Sequence, residues 1–421
     1  MTSVEQTRHD VAARPLRIDF LTQWYPPEPA RVPEAIVNGL VARGHTVRVV
    51  TGTPNYPTGQ VAEGYNARRY RTERAGAVSV VHCPLYPSHD ASAVKRFLNY
   101  GSFALSATLP LLTGDRADVT LVYSSPGTVN HAALLQRAVR GVPTVLLVED
   151  LWPDSALATG MLDRMPAPGA LERVLHAGFD ATYRAADRVV VTSPGMRDAL
   201  TGRGVDPARI SRMFNWQERS ATGQFLRGTR AAGHGLRVVY GGNLGPAQGL
   251  DTAIRAVARS APGTTLTLVG DGAAKQELMA LAAEVAPDRI DFLPRVGPEE
   301  FESLASTFDA SLISLKRDPL FEMTLPGKVP ATLALGAPVI LSASGDAAAL
   351  VDEAGAGWSA PAGDVIALVS ALEAARLAGP NAREAAGRRG LDYYQTHMTP
   401  QAGVQALEGA LLAAASPEGE R

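Results

Sequence analysis

The sequence predicts two doubly wound, Rossmann-like α/β domains, and three observations predict them. Short apolar runs rich in Val, Leu and Ile alternate with longer helical patterns. Nearly continuous runs of that kind are strands buried on both faces, as in parallel sheets. The alternation stops at 216–235, "WQERSATGQFLRGTRAAGHG", where Ser, Thr, Gly and charge dominate, and then restarts. Finally, the chain has 421 residues, more than one hydrophobic core usually serves.

The elements follow in order. In the first half the strand runs are "LRIDFLT" (16–22), "TVRVVTG" (46–52), "VSVVHC" (78–83), "VTLVYS" (119–124), "TVLLVED" (144–150) and "RVVVTS" (188–193). Helices such as 33–43, ending at Gly44, fill the gaps. After the linker come "LRVVYGG" (236–242), "TLTLVG" (265–270), "IDFLP" (290–294), "ASLISL" (310–315) and "APVILS" (337–342). A last helix is expected at about 401–415. The expected layout is an arm at 1–15, a first domain at 16–215, the linker at 216–235 and a second domain at 236–385. A helical tail at 386–421 is free to pack back on the first domain.

Composition narrows the class. The chain is 46% hydrophobic and 19% charged, which is globular rather than disordered or fibrous. A net charge of −2 gives no overall field toward nucleic acid or anionic lipid. The one cysteine, Cys83, lies in an apolar run and reads as core; with no internal disulfide the chain suits a reducing compartment. "MTSVEQTRHDVAARP" lacks the apolar centre of a signal peptide and reads as an arm. No stretch reaches the roughly 18–20 apolar residues that cross a bilayer. The nearest, "FALSATLPLL" (103–112), contains Pro110 and follows Lys95 and Arg96. It reads either as a crossover helix on the sheet or as a helix on a membrane surface, through 95–112.

Two such sheets facing each other make a cleft, and ligands of open parallel sheets lie beyond the strands' carboxyl ends. The stretches after strands are therefore the candidates. "GGNLGPAQGLD" follows 236–242, with Gly242, Asn243 and Gln248 before a helix starting near Leu250. Its glycines read as a tight turn or as an anion cradle. "GDGAAKQEL" follows 265–270; Asp271 reads as a helix cap or, with Gly272, as a nucleotide contact. "FEMTLPGKVPATLALGAPVI" (321–340) enters an apolar helix through Gly327 and Lys328. A cation at a helix start opposes the macrodipole unless an anion is bound there. In "SASGDAAAL", Ser344 and Asp346 read as a cap, and Gly345 as a ligand-facing turn. In the first half, prolines 26, 27 and 29 of "QWYPPEPARVPEA" fix an extended loop. His131 stands near a helix start, and Glu149 and Asp150 end a strand. No Asp-x-Asp, zinc-spaced His/Cys cluster, G-x-S-x-G elbow or aromatic-interleaved basic run occurs. No metal, cofactor or nucleic-acid partner is expected.

These pieces resemble the retaining sugar transferases of the GT-B type, glycosyltransferase family four. They are most similar to the colanic-acid and O-antigen transferases of bacterial surface polysaccharides. The resemblance spans about 16–400 and rests on "WYPPEPARVPEAIVNGLVARGHTVRVVTGTPNYPTGQVAEGY", "EDLWPDSALATGML", "GGNLGPAQGLD", "LVGDG" and "LPGKVPATLALGAPVILSASGDAA". It implies a nucleotide-diphosphate sugar, UDP favoured, on the second domain and a glycan, lipid-linked or small-molecule acceptor on the first. It implies that Gly242, Asn243 and Lys328 lie at the diphosphate, and Asp271 and Gly272 on the nucleotide side. Glu149 and Asp150 would face the acceptor or the donor sugar. Many relatives carry a basic pair where Asn243 and Gln248 stand, and a Glu-x7-Glu pair where Met323 and Ala331 stand, with Glu322 one residue off. Lys328 is then the remaining fixed cation. The resemblance implies a cytoplasmic, metal-independent enzyme, peripheral at the inner membrane face. A non-hydrolysing nucleotide-sugar epimerase and a sugar- or nucleotide-binding protein use the same architecture. Sugar transfer that requires an added acceptor separates the first from both.

Overall fold

The computed structural model describes residues 14–88, 93–158, 168–216, 225 and 235–416. Of the expected arm, 1–13 fall outside these residues, as do 217–224 and 226–234 of the expected linker. The chain forms two compact units. The first comprises Met1–Val190, Arg203–Ser211 and Val404–Arg421; the second comprises Val191–Gly202 and Arg212–Gly403.

The elements begin with β1 (Arg17–Leu21), α1 (Arg31–Ala42), β2 (Thr46–Gly52), β3 (Arg71–Ala75), β4 (Val78–Cys83), α2 (Ala93–Thr113) and β5 (Val119–Tyr123). They continue with α3 (Asn130–Arg140), β6 (Thr144–Val148), α4 (Asp154–Ala158), α5 (Pro168–Ala185), β7 (Arg188–Val191), α6 (Pro194–Gly202) and β8 (Ile210–Arg212). The eight strands form one sheet in the order β3-β4-β2-β1-β5-β6-β7-β8. β1 pairs in parallel with both β2 and β5, which makes that gap the topological switch point. Strands rich in Val and Leu account for the core: Phe20, Val49, Leu121 and Val145 are fully buried. Cys83 is also fully buried, and burial pushes its thiol up to about 12, as a core residue requires.

The second unit holds β9 (Leu236–Asn243), α7 (Leu250–Arg259), β10 (Thr264–Asp271), α8 (Lys275–Val285), β11 (Ile290–Leu293), α9 (Pro298–Ala305) and β12 (Ala310–Ser314). Then come α10 (Pro319–Glu322), α11 (Lys328–Leu335), β13 (Val339–Ser342), α12 (Asp346–Glu353), β14 (Gly357–Ala360) and α13 (Val365–His397). The order is β11-β10-β9-β12-β13-β14, each neighbouring pair is parallel, and the switch lies between β9 and β12. Helix α14 (Pro400–Ala415) belongs with the first unit from Val404 onward. There Leu407 and Leu411 are fully buried, and Val404 packs where Gly39 of α1 leaves room. Glu408 accepts from Arg43 Nε at 2.6 Å and lies 3.0 Å from His45 Nε2.

Three strands were not expected. β3, "RTERA", is a polar edge strand antiparallel to β4 and carries no apolar run. β8 and β14 are three and four residues long, too short for a period to show. The compact units also depart from the expected boundaries. Val191–Gly202 joins the second unit, where Gly195 N–H donates to Asp346 Oδ2 at 2.6 Å and Ser193 Oγ donates to the Met323 carbonyl at 2.6 Å. The boundary expected at 385 falls inside α13.

Candidate active site

In the second unit the loops after β9 and β12 leave the sheet at its switch point. Alternation in β9 turns Leu236, Val238 and Tyr240 into one core. Tyr240 is fully buried, yet its hydroxyl ends at the loop and donates to the Asn243 carbonyl at 2.7 Å. The same hydroxyl accepts from Lys328 Nζ, which sits 3.8 Å from the Tyr240 ring centroid. Burial alone lowers the Lys328 amine to about 8 and pushes the Tyr240 phenol well above its usual range. The cation at the start of α11 therefore has a ring and a hydroxyl as partners.

Two glycines make that approach feasible. Gly242 has φ +133°, and a methyl group there would lie 2.9 Å from Lys328 Nζ. Gly270 has φ +151°, and a methyl group there would lie 1.9 Å from the Gly242 carbonyl oxygen. The loop is closed by main-chain bonds from Leu244 N–H to the Asp271 carbonyl (2.8 Å) and from Ala274 N–H to the Leu244 carbonyl (2.9 Å). Gln248 Oε1 accepts from Gly245 N–H at 3.2 Å and so braces the turn. A methyl on Gly272 would meet Asn243 Oδ1 at 2.6 Å. Gly242, Asn243, Gln248, Asp271, Gly272 and Lys328 are thus one cluster.

Other expectations need correction. Asp271 ends β10 and accepts from Gly272 N–H at 2.9 Å; it caps no helix, since α8 starts four residues later. α12 has no side-chain cap: Ser344 Oγ accepts from Ala362 N–H, and Asp346 binds Gly195. Gly345 is packed against the Glu322 backbone, where a methyl would lie 1.9 Å from the carbonyl oxygen. These two residues meet each other through main chain. Gly327 is exposed, and a methyl there would meet nothing within 4 Å, so local packing does not explain this glycine.

In the first unit, Asp150 follows β6 and accepts from Ser125 Oγ at 2.9 Å. It reaches solvent, but the protein around it raises its carboxyl above the usual range, with Ser125 pulling the other way. Glu149 precedes it, half-buried. His131 Nδ1 is 3.3 Å from the Thr128 carbonyl, and its ring packs 5.7 Å from that of Phe179. Phe179 in turn packs 5.5 Å from Trp152.

Sequence reasoning missed Tyr240 and Glu28. Tyr240 was legible as an inward residue of "VVYGG", but its hydroxyl partner lies 88 residues away. Glu28 is buried among the prolines after β1. Its Oε1 accepts from Asn55 N–H (2.8 Å) and Tyr56 N–H (2.7 Å), while Oε2 is buried with no hydrogen-bond partner. Burial raises the carboxyl to about 7, against those bonds. Trp24 packs against Tyr56 at 5.8 Å and Tyr100 at 6.3 Å, and Tyr100 against Trp152 at 6.1 Å. Aromatic faces thus line the carboxyl ends of this sheet.

Comparison with known proteins gives a consistent result. Residues 29–216 match the glycosyl transferase 4-like domain, and 235–376 match glycosyl transferases group 1. The chain is 30% identical over 328 residues to the putative colanic acid biosynthesis glycosyl transferase WcaI of Escherichia coli K12, covering 73% of this chain and 78% of that one. Its fold is similar to that of WaaG, a glycosyltransferase involved in lipopolysaccharide biosynthesis (TM-score 0.58, 16% identity, 93% and 98% of the two chains). It is also similar to that of Anabaena HepE in complex with UDP (TM-score 0.63, 13% identity, 94% and 99%).

Proposed function

We propose, for a chain that belongs to the GT-B glycosyl transferases with 4-like and group 1 halves, a retaining transfer from a nucleotide-diphosphate sugar. UDP is the favoured nucleotide, in keeping with the UDP seen in a protein of the same fold. The acceptor is a glycan or lipid-linked sugar of bacterial surface polysaccharide synthesis, the setting named for the related WcaI. A small natural product is the alternative acceptor. The enzyme works in the cytoplasm at the inner membrane face.

One observation carries this reading: the Lys328 amine lies over Gly242 and Tyr240 at the β9/β12 switch. As the bond to the anomeric carbon breaks, negative charge grows on the leaving diphosphate. Lys328 neutralises that charge, helped by main-chain N–H groups of the glycine loop. One such donor is typically worth about 3–4 kcal/mol in the transition state. The amine is partly desolvated before the donor arrives, which strengthens its pull on an anion. The leaving phosphate takes the acceptor proton, so the step needs no protein base and no metal. Asp150 and Glu149 orient acceptor hydroxyls as hydrogen-bond acceptors.

The test is a screen of UDP-, GDP- and ADP-sugars for diphosphate release, with and without membrane extract and with added EDTA. Acceptor-dependent release with UDP-sugars that survives EDTA and vanishes in Lys328→Ala is the expected result. Isomerisation of the donor with no acceptor present would replace transfer by epimerisation. Undiminished turnover in Lys328→Ala would remove its role.

A further inference from the structure

The chain has four lysines, Lys95, Lys275, Lys316 and Lys328, among 40 basic residues. Three of the four lie in the second unit, in the segments that follow β10 and β12. Arginine is the usual cation elsewhere. A guanidinium is a broad planar fork, whereas an ammonium is a compact point charge with three rotatable donors. A chain that otherwise favours arginine keeps the compact cation beside its glycine loop.

Lys275 opens α8 as Lys328 opens α11, and neither helix has a side-chain cap. Each cation therefore stands against the macrodipole of its own helix. The Lys275 amine folds back and donates to the Gly270 carbonyl at 3.2 Å. Gly270 faces Gly242 across the β9–β10 ladder, and the Lys328 amine lies over Gly242. The two amines are thus seated on facing residues of neighbouring strands, which run about 4.8 Å apart. Neither has a full counter-charge. Lys328 has a ring and a hydroxyl as partners and no acid among the described residues. Asp271 Oδ1 lies 3.9 Å from the Lys275 amine, beyond hydrogen-bond reach, on a side chain that is 72% exposed. The Gly270 carbonyl uses one of the three N–H donors of Lys275, and 23% of that side chain remains open to a ligand. Lys316 differs: its amine is 3.4 Å from Asp318 Oδ2 and lies over the Phe321 ring.

We propose that Lys275 is a second binding residue for the donor and holds the phosphoryl group on the nucleoside side. The inference rests on the sugar nucleotide proposed above and divides its two phosphoryl groups between two amines. Lys328 meets the charge that grows as the bond to the anomeric carbon breaks, so it takes the phosphoryl group on the sugar side. The other group carries the same charge before and during that step. A cation held against it strengthens binding of donor and transition state alike, which lowers KM and leaves kcat alone. Lys275 thereby supplies a charge that the amides of Asn243 and Gln248 do not.

The test is calorimetry of wild type, Lys275→Met and Lys316→Met with UDP and UMP, or with the matching pair should GDP or ADP bind tighter. Methionine keeps an apolar stem and removes the charge. Lys275→Met weakens both the diphosphate and the monophosphate about tenfold or more, with circular dichroism and melting unchanged. In the acceptor-dependent release assay it raises the donor KM by a similar factor and changes kcat less than about threefold. Collapse of the glycine loop would unseat Lys328 as well and pull kcat down. That result, or an unchanged affinity for the monophosphate, overturns the proposal. So does an equal loss in Lys316→Met, which would reflect the field of the whole unit rather than one contact. A wild type that binds no nucleoside diphosphate removes the donor reading itself, whereas binding indifferent to Lys275 removes this inference alone.

Discussion

The two switch points are built from different materials. In the second unit the cluster is mostly main chain: Gly242 and Gly270 back to back, a loop closed by amide bonds, and the amines of Lys328 and Lys275, the latter donating to the Gly270 carbonyl at 3.2 Å. In the first unit it is side chain: Glu28, Asp150 and an arc of aromatic rings from Tyr56 to Trp152. A main-chain cluster tolerates no change in its glycines but leaves its cations replaceable. A side-chain cluster can be varied piece by piece. The difference suits a transferase, in which a common donor half meets many acceptors.

The severest break of this contrast is Gly270→Ala. Its methyl would overlap the Gly242 carbonyl at a φ that L residues rarely adopt. The expected loss is about 2–4 kcal/mol for the second unit, seen as an earlier denaturation midpoint, with activity gone. Lys328→Ala separates chemistry from fold. We expect kcat to fall about 10²–10³-fold with melting nearly unchanged, the reverse of the glycine result.

Glu28→Gln probes the first unit. The wild-type carboxyl is raised to about 7, so the folded state holds a proton that the unfolded chain gives up near 4.5. Stability from this group is complete below about pH 4.5 and is lost as pH rises through about 7. The variant does not titrate. Its stability relative to wild type should rise between pH 5 and 8, by on the order of 1–3 kcal/mol. A flat difference across that range would refute the buried proton. Smallest is Tyr240→Phe, which keeps the ring and removes the hydroxyl that accepts from Lys328. We expect kcat/KM to drop about tenfold. The amine is lowered to about 8, so activity declines above that pH in wild type, and earlier in the variant, whose charged amine has lost a partner.

The same contrast explains what was legible in the sequence. Parallel strands such as "TVRVVTG" announce themselves because both faces are buried, and the glycine loop because only glycine permits its backbone. Lys328 stood out as a local conflict at a helix start. Its resolution did not, since Tyr240 is remote in sequence and nothing local marks a hydroxyl's direction. Glu28 resembles any loop acid until the fold buries it. His131 resembles Asp150 in being polar after a strand, and only the fold shows its ring packed against Phe179. The segment 103–112 read as either a crossover or a surface helix; α2 is a crossover by its buried stripe and remains apolar outside.

The clasp of Glu408 by Arg43 and His45 bears on how the molecule is made. The first unit draws on chain segments from both sides of the second unit. While the ribosome is still adding residue 400, β1 to β7 are out, but the side of α1 that receives Val404 has no cover. The unit synthesised first is therefore completed last, after the whole second unit has emerged. A nascent chain stalled before Pro400 should be captured by chaperones and cut by protease within its first 190 residues, whereas a chain extended through α14 resists both.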